Sequence, residues 1–287
     1  MSTIKKADLH IHTTFSDGTY QPEEAVEAAI SAGVSAIAVT DHDITEGIER
    51  ALKAGARYGI EVIPGIELSC EYNGTEIHML GFYINWENNW FQGKLKVFQR
   101  ARERRAIHIL NKLKKIGVDI DEQMLFSYAG EGSISRIHFA RCLVNSGIVS
   151  DTQEAFRKYL EQGRPAFVKK LRVTPDEAIS MIQRVGGLPV VAHPVYGGGH
   201  KSFLRKLKKQ GLCGIEAYHP GQDARQSGKL AGFASDLGLL VTGGSDSHGS
   251  RPDENPIGSI DVDYNSVEKL KAEKIDRERK NRHIMVC

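Results

Sequence analysis

Three polar residues alternate with apolar residues in the first predicted strand of the chain. Asp8, His10 and His12 are two positions apart, and residues with that spacing lie on one face of a strand. Two adjacent imidazoles would repel each other if both were protonated, whereas neutral imidazole is the commonest metal ligand in proteins. The spacing therefore suggests a divalent cation between His10 and His12. The case for a metal site then depends on whether other strands supply further ligands.

Further metal-competent side chains recur at or just after the ends of other predicted strands. They are Asp41, His42, Glu67, His193, His219, Asp246 and His248. In a closed βα barrel, that end of the strands forms the mouth in which active sites are built. Each residue alone could have a structural role, but random placement would spread the eleven histidines over helices as well. We interpret four as such ordinary histidines, namely His108, His138, His200 and His283.

Short apolar runs alternate with amphipathic segments along most of the chain, which predicts βα units and a parallel sheet. The predicted strands cover residues 8–12, 36–40, 61–67, 188–192, 214–217 and 239–243. Predicted helices begin at Pro22, span Thr45 to Tyr58, and follow Thr174-Pro175.

A β-hairpin interrupts this alternation. Residues 68–72 and 75–84 flank Asn73-Gly74, a strong signal for a two-residue turn. With that turn, Glu67 lies opposite Leu80, and His78 becomes a diagonal neighbour about 7–8 Å away. The hairpin could therefore place His78 and Glu67 around one metal ion.

Residues 88–164 lack strand patterns and are predicted to form a helical insertion that caps the substrate site. The barrel is thereby divided into residues 1–87 and 165–287. Amphipathic patterns cover 94–116, the segment after Ser133, and 151–160. The many Lys and Arg residues of the first helix could attract phosphate or form a solvated surface. We expect the barrel to resume with a strand at 165–168.

The composition indicates a globular protein without a membrane span. The formal net charge of +2 does not favour a protein that coats duplex nucleic acid, although a local basic patch is compatible with it. No apolar run is long enough to cross a bilayer, and the N-terminus lacks the apolar part of a signal peptide. The four scattered cysteines favour a reduced, cytoplasmic protein. No obligate protein partner is evident.

Several motifs resemble those of the polymerase-and-histidinol-phosphatase (PHP) superfamily of metal-dependent phosphoesterases. They are Asp8-Leu9-His10-Ile11-His12-Thr13, Ser16-Asp17-Gly18, Thr40-Asp41-His42, Pro64-Gly65-Ile66-Glu67, His78, Ala192-His193-Pro194 and Gly244-Ser245-Asp246-Ser247-His248. Segments 133–141 and 156–160 resemble the bacterial branch that contains nucleoside 3′,5′-bisphosphate phosphatases. The resemblance implies a distorted (β/α)7 barrel of PHP type with a helical insertion.

The same resemblance implies three divalent metal ions, and the donor types suit Mn²⁺, Fe²⁺ or Zn²⁺. It places His10, His12, Glu67 and Asp246 around the first metal. Glu67 would bridge to a second metal held by His78 and His193, and Asp17, His42 and His248 would hold the third. Some relatives have histidine in place of Asp17, which could alter metal preference. Asp8 and Asp41 are expected to orient imidazoles.

The implied reaction is hydrolysis of a 3′-phosphate by a metal-bound hydroxide. Glu67, Asp246 and His219 are the expected catalytic residues, with His219 as candidate general acid. The expected contacts to a small phosphorylated nucleotide, or to a short oligonucleotide, are Ser135, Arg136, Lys169, His219 and Arg225. Arg136 offers a bidentate donor to a second phosphate.

Three other functions remain open from the sequence. A 5′→3′ exonuclease on short RNA or DNA would use the same metals on diesters. A histidinol-phosphate phosphatase fits the metal ligands, although the insertion fits the nucleotide-acting branch better. A non-catalytic module associated with a polymerase is disfavoured because every ligand position is filled.

Overall fold

The computed structural model describes residues 5–130, 132–194, 200–251 and 254–286. Eight strands form one sheet. They are β1 (Lys6–Ile11), β2 (Val34–Val39), β3 (Glu61–Tyr72), β4 (Thr75–Phe82), β5 (Leu188–Val191), β6 (Gly214–Tyr218), β7 (Leu240–Gly243) and β8 (Val262–Asp263). Strands β1, β2 and β5 are short apolar runs that are buried along nearly their whole length, as expected for the interior sheet of an α/β protein.

The strand order is β7-β6-β5-β4-β3-β2-β1-β8, so β1 to β7 are neighbours in chain order. All neighbouring pairs are parallel except those made by β4, which is antiparallel to β3 and β5, and the antiparallel β1–β8 pair. The chain after β7 returns to β1, where the His12 amide donates to the Ser247 carbonyl at 2.9 Å. The expected distorted seven-stranded barrel is confirmed. The two-residue β8 is too short for its pattern to have predicted it.

Helices surround this barrel and fill the connection between β4 and β5. They are α1 (Pro22–Ser31), α2 (Ile48–Tyr58), α3 (Asn89–Lys115), α4 (Glu122–Ala129), α5 (Arg136–Asn145), α6 (Thr152–Ala155), α7 (Pro175–Arg184), α8 (Lys201–Lys209), α9 (Ala224–Leu237) and α10 (Asn265–Val286). A π-helical turn, Phe156–Leu160, directly follows α6. No helix in the described ranges is long and apolar enough to span a bilayer.

The hairpin has the predicted register. Glu67 pairs with Leu80 and Ser69 with His78, because the Asn73-Gly74 turn connects β3 and β4 without a bulge. Asn73 and Gly74 both have positive φ, as such a turn requires. The hairpin therefore carries His78 to the face on which Glu67 lies.

The helices between β4 and β5 have their own apolar cluster, separate from those of the barrel. It includes Ile109, Leu113, Leu125, Phe139 and Leu143. The boundaries 88 and 164 of the predicted insertion remain predictions.

The strand predicted at residues 165–168 does not form, and that segment is irregular in the structure. The reason lies in the sheet: β5 pairs directly with β4, with Met79 opposite Val191, so no free edge remains there. The chain instead passes over β3, where the Glu71 amide donates to the carbonyl of Val173 at 2.9 Å.

Candidate metal centre

The carboxyl ends of the strands converge at one mouth, where nine imidazole and carboxylate side chains meet. They are His10, His12, Asp17, His42, Glu67, His78, His193, Asp246 and His248. They lie in strands β1, β3 and β4 and in the segments that follow β1, β2, β5 and β7. These are the nine residues that the sequence resemblance assigned to metals.

Glu67 lies at the centre of this cluster. Its Oε2 is 3.3 Å from Nε2 of His10 and 3.3 Å from Nε2 of His12. Asp246 Oδ1 approaches the same two nitrogens, at 3.3 Å and 3.1 Å. Four donor groups thus surround one position, which is the arrangement expected for a first metal.

The other oxygen of Glu67 faces a second group of donors. Oε1 is 2.8 Å from Nδ1 of His78 and 3.1 Å from Nε2 of His193, and these two nitrogens are 3.3 Å apart. One carboxylate therefore reaches two adjacent donor groups, which is what a bridging ligand requires.

The third group lies around Asp17. Its carboxylate oxygens are 3.5 Å from Nε2 of His248, 4.0 Å from Nε2 of His42 and 4.0 Å from Nδ1 of His12. His42 also contacts Glu67 through Nδ1, at 2.9 Å. The sequence-based assignment did not include this second contact of His42, which places it between two of the candidate sites.

Two of the nine residues have left-handed backbone conformations. Asp246 has φ of 50° and His193 has φ of 26°, although neither is glycine. Such conformations cost about 1–3 kcal/mol each and cluster at functional sites, where the surrounding structure imposes them. At Gly244, an added Cβ would lie 2.5 Å from the His10 backbone nitrogen, so only glycine lets this loop bring Asp246 close to His10.

The cluster is strongly polarised because several charges are buried together. Burial opposes protonation of His12, but hydrogen bonds to Asp246 and Glu67 raise its pKa to about 10. For His78, burial is likewise outweighed by Glu67, which raises the pKa to about 9. For Glu67, burial is outweighed by His42 and His78, which hold its pKa well below the ordinary value. The carboxylates thus require positive charge beside them.

The donor set fits divalent cations. Among the described residues, several buried donor atoms of the cluster have no well-formed hydrogen bond, including Nε2 of His10, Nδ1 of His42 and Oδ1 of Asp17. Buried polar atoms in such a state are explained if they bind ions. The set contains imidazole and carboxylate but no thiolate, which excludes none of Mn²⁺, Fe²⁺ and Zn²⁺. The number and identity of the ions remain predictions.

Glu216 is a residue of this site that the sequence analysis missed. It is fully buried in β6, and its Oε1 is 3.0 Å from Nδ1 of His10. Its Oε2 accepts from the backbone amide of His193 at 2.7 Å. The signal was available, because a glutamate within the apolar run Gly214-Ile215-Glu216-Ala217 needs a buried partner.

Asp8 and Asp41 hold loop segments, whereas Glu216 contacts the ring of His10 directly. The imidazole-orienting role of Asp8 and Asp41 stays a prediction. Asp41 accepts from the amide of Thr13 at 2.8 Å and from the hydroxyl groups of Thr13 and Ser16. Asp8 accepts from the amides of Ser245 and Gly258, both at 2.8 Å. Both carboxylates therefore fix the loops that carry the candidate ligands.

His219 is buried beside Asp246, with Nε2 3.2 Å from Oδ2 of that residue. Its Nδ1 accepts from the amide of Gly221 at 2.9 Å, so the proton of the neutral ring lies on Nε2 and points at Asp246. This contact orients Asp246. The role of His219 as general acid stays a prediction.

Arg136 opens α5 and faces the mouth beside His78. Its Nη2 is 3.8 Å from Glu76, and Glu76 in turn lies 3.4 Å from Nε2 of His78. Arg172 pairs with the same Glu76. Two guanidinium groups thus stand next to the candidate metal ligands.

The other three predicted substrate contacts have different environments. Ser135 caps α5, and its hydroxyl is buried without a hydrogen-bond partner among the described residues. Lys169 is exposed and pairs with Glu71 at 2.8 Å, away from the metal ligands. Arg225 is exposed near the start of α9. Of the three, Ser135 is the one adjacent to Arg136.

Comparison with known proteins agrees with this geometry. A family model described as the PHP domain matches residues 8–162. A 5′-3′ exoribonuclease of Haemophilus influenzae is 37% identical over 248 residues, which cover 85% of this chain and 90% of that protein. A 3′,5′-nucleoside bisphosphate phosphatase of Chromobacterium violaceum is 33% identical, covering 84% of this chain and 86% of that protein.

Among solved structures, an amidohydrolase from Chromobacterium violaceum with bound sulfate and no metal superimposes with a TM-score of 0.84. It is 29% identical, and the alignment covers 93% of this chain and 96% of that one. The similarity thus extends over both the barrel and the helices between β4 and β5.

Proposed function

The chain belongs to the PHP domain family of phosphoesterases, and we propose that it hydrolyses the 3′-phosphate of nucleoside 3′,5′-bisphosphates. The observation that carries this proposal is the position of Arg136. Its guanidinium is linked through Glu76 to His78, and His78 contacts Glu67 at 2.8 Å. A site for a second anionic group therefore adjoins the candidate metal site.

More than one residue contributes positive charge at this second position. Arg172 and Arg105 lie near Arg136. Burial is the main cause that lowers the pKa of Arg105, and the positive charge of Arg136 lowers it further, to about 9. Glu76 is the nearest acid to Arg136 and is shared with Arg172. A ligand phosphate would relieve this excess positive charge, since arginine pairs well with phosphate oxygens.

A second activity follows from the same geometry. In a nucleoside 3′,5′-bisphosphate, cleavage releases the 3′-phosphoryl group and leaves a nucleoside 5′-phosphate. In a 5′-phosphorylated oligonucleotide, the phosphoryl group on the same 3′-oxygen also carries the next nucleoside. Attack at that phosphorus releases a 5′-mononucleotide, which is 5′→3′ exonuclease action. The 37% identity to an exoribonuclease supports this second activity.

Each part of the site has a separate task in either reaction. His10, His12, Asp17, His42, Glu67, His78, His193, Asp246 and His248 would hold divalent ions. Ions held there would supply an activated water for attack on phosphorus and would neutralise the phosphoryl oxygens. Arg136 orients the 5′-phosphate, Glu216 fixes the ring of His10, and His219 fixes Asp246.

The test is phosphate or nucleotide release across a substrate panel with the metal-loaded enzyme. The panel contains adenosine 3′,5′-bisphosphate, adenosine 3′-monophosphate, adenosine 5′-monophosphate, histidinol phosphate, and a dinucleotide with or without a 5′-phosphate. We expect both 5′-phosphorylated substrates with a 3′-ester to be cleaved far better than their analogues that lack the 5′-phosphate.

Three results would contradict the proposal. Equal cleavage of substrates with and without a 5′-phosphate would show that the second anion site has no role in the reaction. Preferential cleavage of histidinol phosphate would assign the enzyme to a different substrate class. Absence of all turnover in protein that holds its metals would favour a non-catalytic module.

A further inference from the structure

Three helices hold more than half of the 38 Lys and Arg residues: α3, and, outside the site described above, α8 and α10. Of the 38 Lys and Arg residues, twelve lie in α8 and α10, which together contain only four of the 36 Asp and Glu residues. These two helices thus carry a net charge of +8, whereas the rest of the chain carries −6 and the whole chain +2. Such segregation on an almost neutral protein indicates a surface for a polyanion.

Helix α8 runs along the side of the barrel from the mouth to the opposite end. It lies between the carboxyl end of β5, where His193 contacts Glu67, and the amino end of β6. Nine residues at about 1.5 Å each span about 13 Å. Phe203, Leu204 and Leu207 are buried against the barrel. The solvent side carries exposed cations: Arg205, Lys206, Lys208 and Lys209.

A basic cleft begins where α8 ends. It has a volume of about 520 Å³, lies between α7 and α10, and is lined by Arg184, Lys274, Arg277 and Lys280, with Glu278 as its acidic residue. The carbonyl of Gly211, two residues after α8, accepts from Nη2 of Arg277 at 3.3 Å and from Nε2 of Gln183 at 3.1 Å. The end of α8 therefore adjoins the cleft, and we call the exposed cations of α8 together with the cations of the cleft the basic track.

We propose that the basic track binds the downstream part of a single-stranded RNA substrate whose 5′ nucleotide occupies the mouth. This inference rests on the exonuclease activity in the proposed function. Mononucleotide hydrolysis needs no surface beyond the mouth, whereas a strand has to leave it. Backbone phosphates spaced along a strand match a row of cations that begins at Arg205, midway along α8, and continues to the cleft.

The i,i+4 ion pairs within α10 do not oppose this assignment. Lys274 pairs with Glu278, Arg277 with Glu273, and Lys280 with Asp276. The Lys280–Asp276 pair is exposed and contributes little stability, and the other two pairs are partly exposed, so a phosphate can take over one of these cations at low cost. Arg184 lies 4.0 Å from the ring centroid of Trp90 and is held by that contact rather than by an acid in the described chain.

The test is binding of a long single-stranded oligonucleotide with phosphorothioate linkages to the metal-loaded enzyme, measured over a range of salt concentrations. The variant combines Arg205→Gln, Lys209→Gln and Lys280→Gln, three exposed positions outside the mouth. Since each phosphate contact contributes about 0.7 to the slope of log K against log salt for single strands, we expect the slope to fall by about 2. The control combines Lys96→Gln, Lys114→Gln and Lys115→Gln on α3, which remove equal charge.

Activity measurements separate this inference from the proposed function. In the track variant, hydrolysis of adenosine 3′,5′-bisphosphate and of the 5′-phosphorylated dinucleotide should be unchanged, while KM for the long strand rises. An unchanged salt slope, or an equal fall in the α3 control, overturns the basic track and leaves the mouth chemistry intact. A wild-type enzyme that binds long strands no better than the dinucleotide overturns it as well.

Discussion

Oε1 of Glu216 lies 3.0 Å from Nδ1 of His10, and both side chains are fully buried. When the ring of His10 is neutral with its Nδ1 proton directed at Glu216, the lone pair of Nε2 faces Glu67 and Asp246. The second carboxylate oxygen of Glu216 holds the amide of His193. One carboxylate on β6 therefore positions two candidate ligands of different metals.

Glu216→Gln should lower metal affinity by about 10–100-fold, the usual cost of losing a residue that orients a ligand. The amide can still accept from His193, but it no longer stabilises the Nδ1 proton of His10 by charge. Metal titration followed by elemental analysis measures this effect. Asp223→Asn at the start of α9, outside the site, is the control. Unchanged affinity in Glu216→Gln would show that Glu216 has only a packing role.

Glu67→Gln should reduce both metal content and turnover more than Glu216→Gln does. The carboxylate of Glu67 contacts both donor groups, and an amide cannot supply two anionic oxygens. We expect a loss of more than about 100-fold in activity, above the range found for orienting residues. Glu71→Gln, a partly exposed glutamate on the same strand, should behave like wild type. Normal metal content in Glu67→Gln would contradict the bridging role.

Metal loading of the metal-free protein at pH 8 should release protons. Without metal, the neighbouring carboxylates hold the pKa of His12 at about 10 and that of His78 at about 9, so both rings are protonated at this pH. A metal ligand has to be neutral imidazole, and binding must therefore displace these protons. A pH indicator in weak buffer records the release. Loading with no proton release would mean that these two histidines are not ligands.

Asp43→Asn should destabilise the fold by about 3–5 kcal/mol, the cost of removing one partner of a buried ion pair. Asp43 has buried contacts with Arg102 of α3 and, at 3.3 Å, with Lys170. Burial raises the pKa of Asp43, but Lys170 and Arg102 outweigh it and hold the pKa below its ordinary value. The wild-type protein therefore has this stabilisation above about pH 4 and loses it as the pH falls.

Urea denaturation measures the effect of Asp43→Asn at neutral pH. The control is Glu49→Gln, which breaks the exposed pair with Lys53 and should cost less than about 0.5 kcal/mol. Equal stability of Asp43→Asn and wild type would show that Arg102 and Lys170 find other partners.

Arg136→Ala should lower kcat/KM for adenosine 3′,5′-bisphosphate by about 10–100-fold, because a charge-assisted contact is worth about 1.5–3 kcal/mol. Hydrolysis of p-nitrophenyl phosphate, which has no second phosphate, should change little. Arg104→Ala, an exposed residue of α3, serves as control. Equal losses on both substrates would assign Arg136 a structural role through its contacts with Glu76 and Phe156.

The barrel and its metal-competent residues could be predicted from the sequence because their signals are local. Buried parallel strands appear as short apolar runs, and polar residues that follow such runs lie at one end of the sheet. The Asn73-Gly74 turn determines the register of the hairpin, so this local signal is enough to predict that His78 lies near Glu67. Each of these inferences needs only a few neighbouring residues.

The tertiary structure decided what depends on contacts between distant segments. Glu216 is 206 positions from His10, so no local pattern links them. The strand expected at 165–168 does not form because β5 already pairs with the edge of β4. The proposed basic track joins α8 to a cleft between α7 and α10, at the point where Arg277 donates to the Gly211 carbonyl. Residue types determined which chemistry was available, and packing determined which groups meet, because distance through space is not encoded in any single segment.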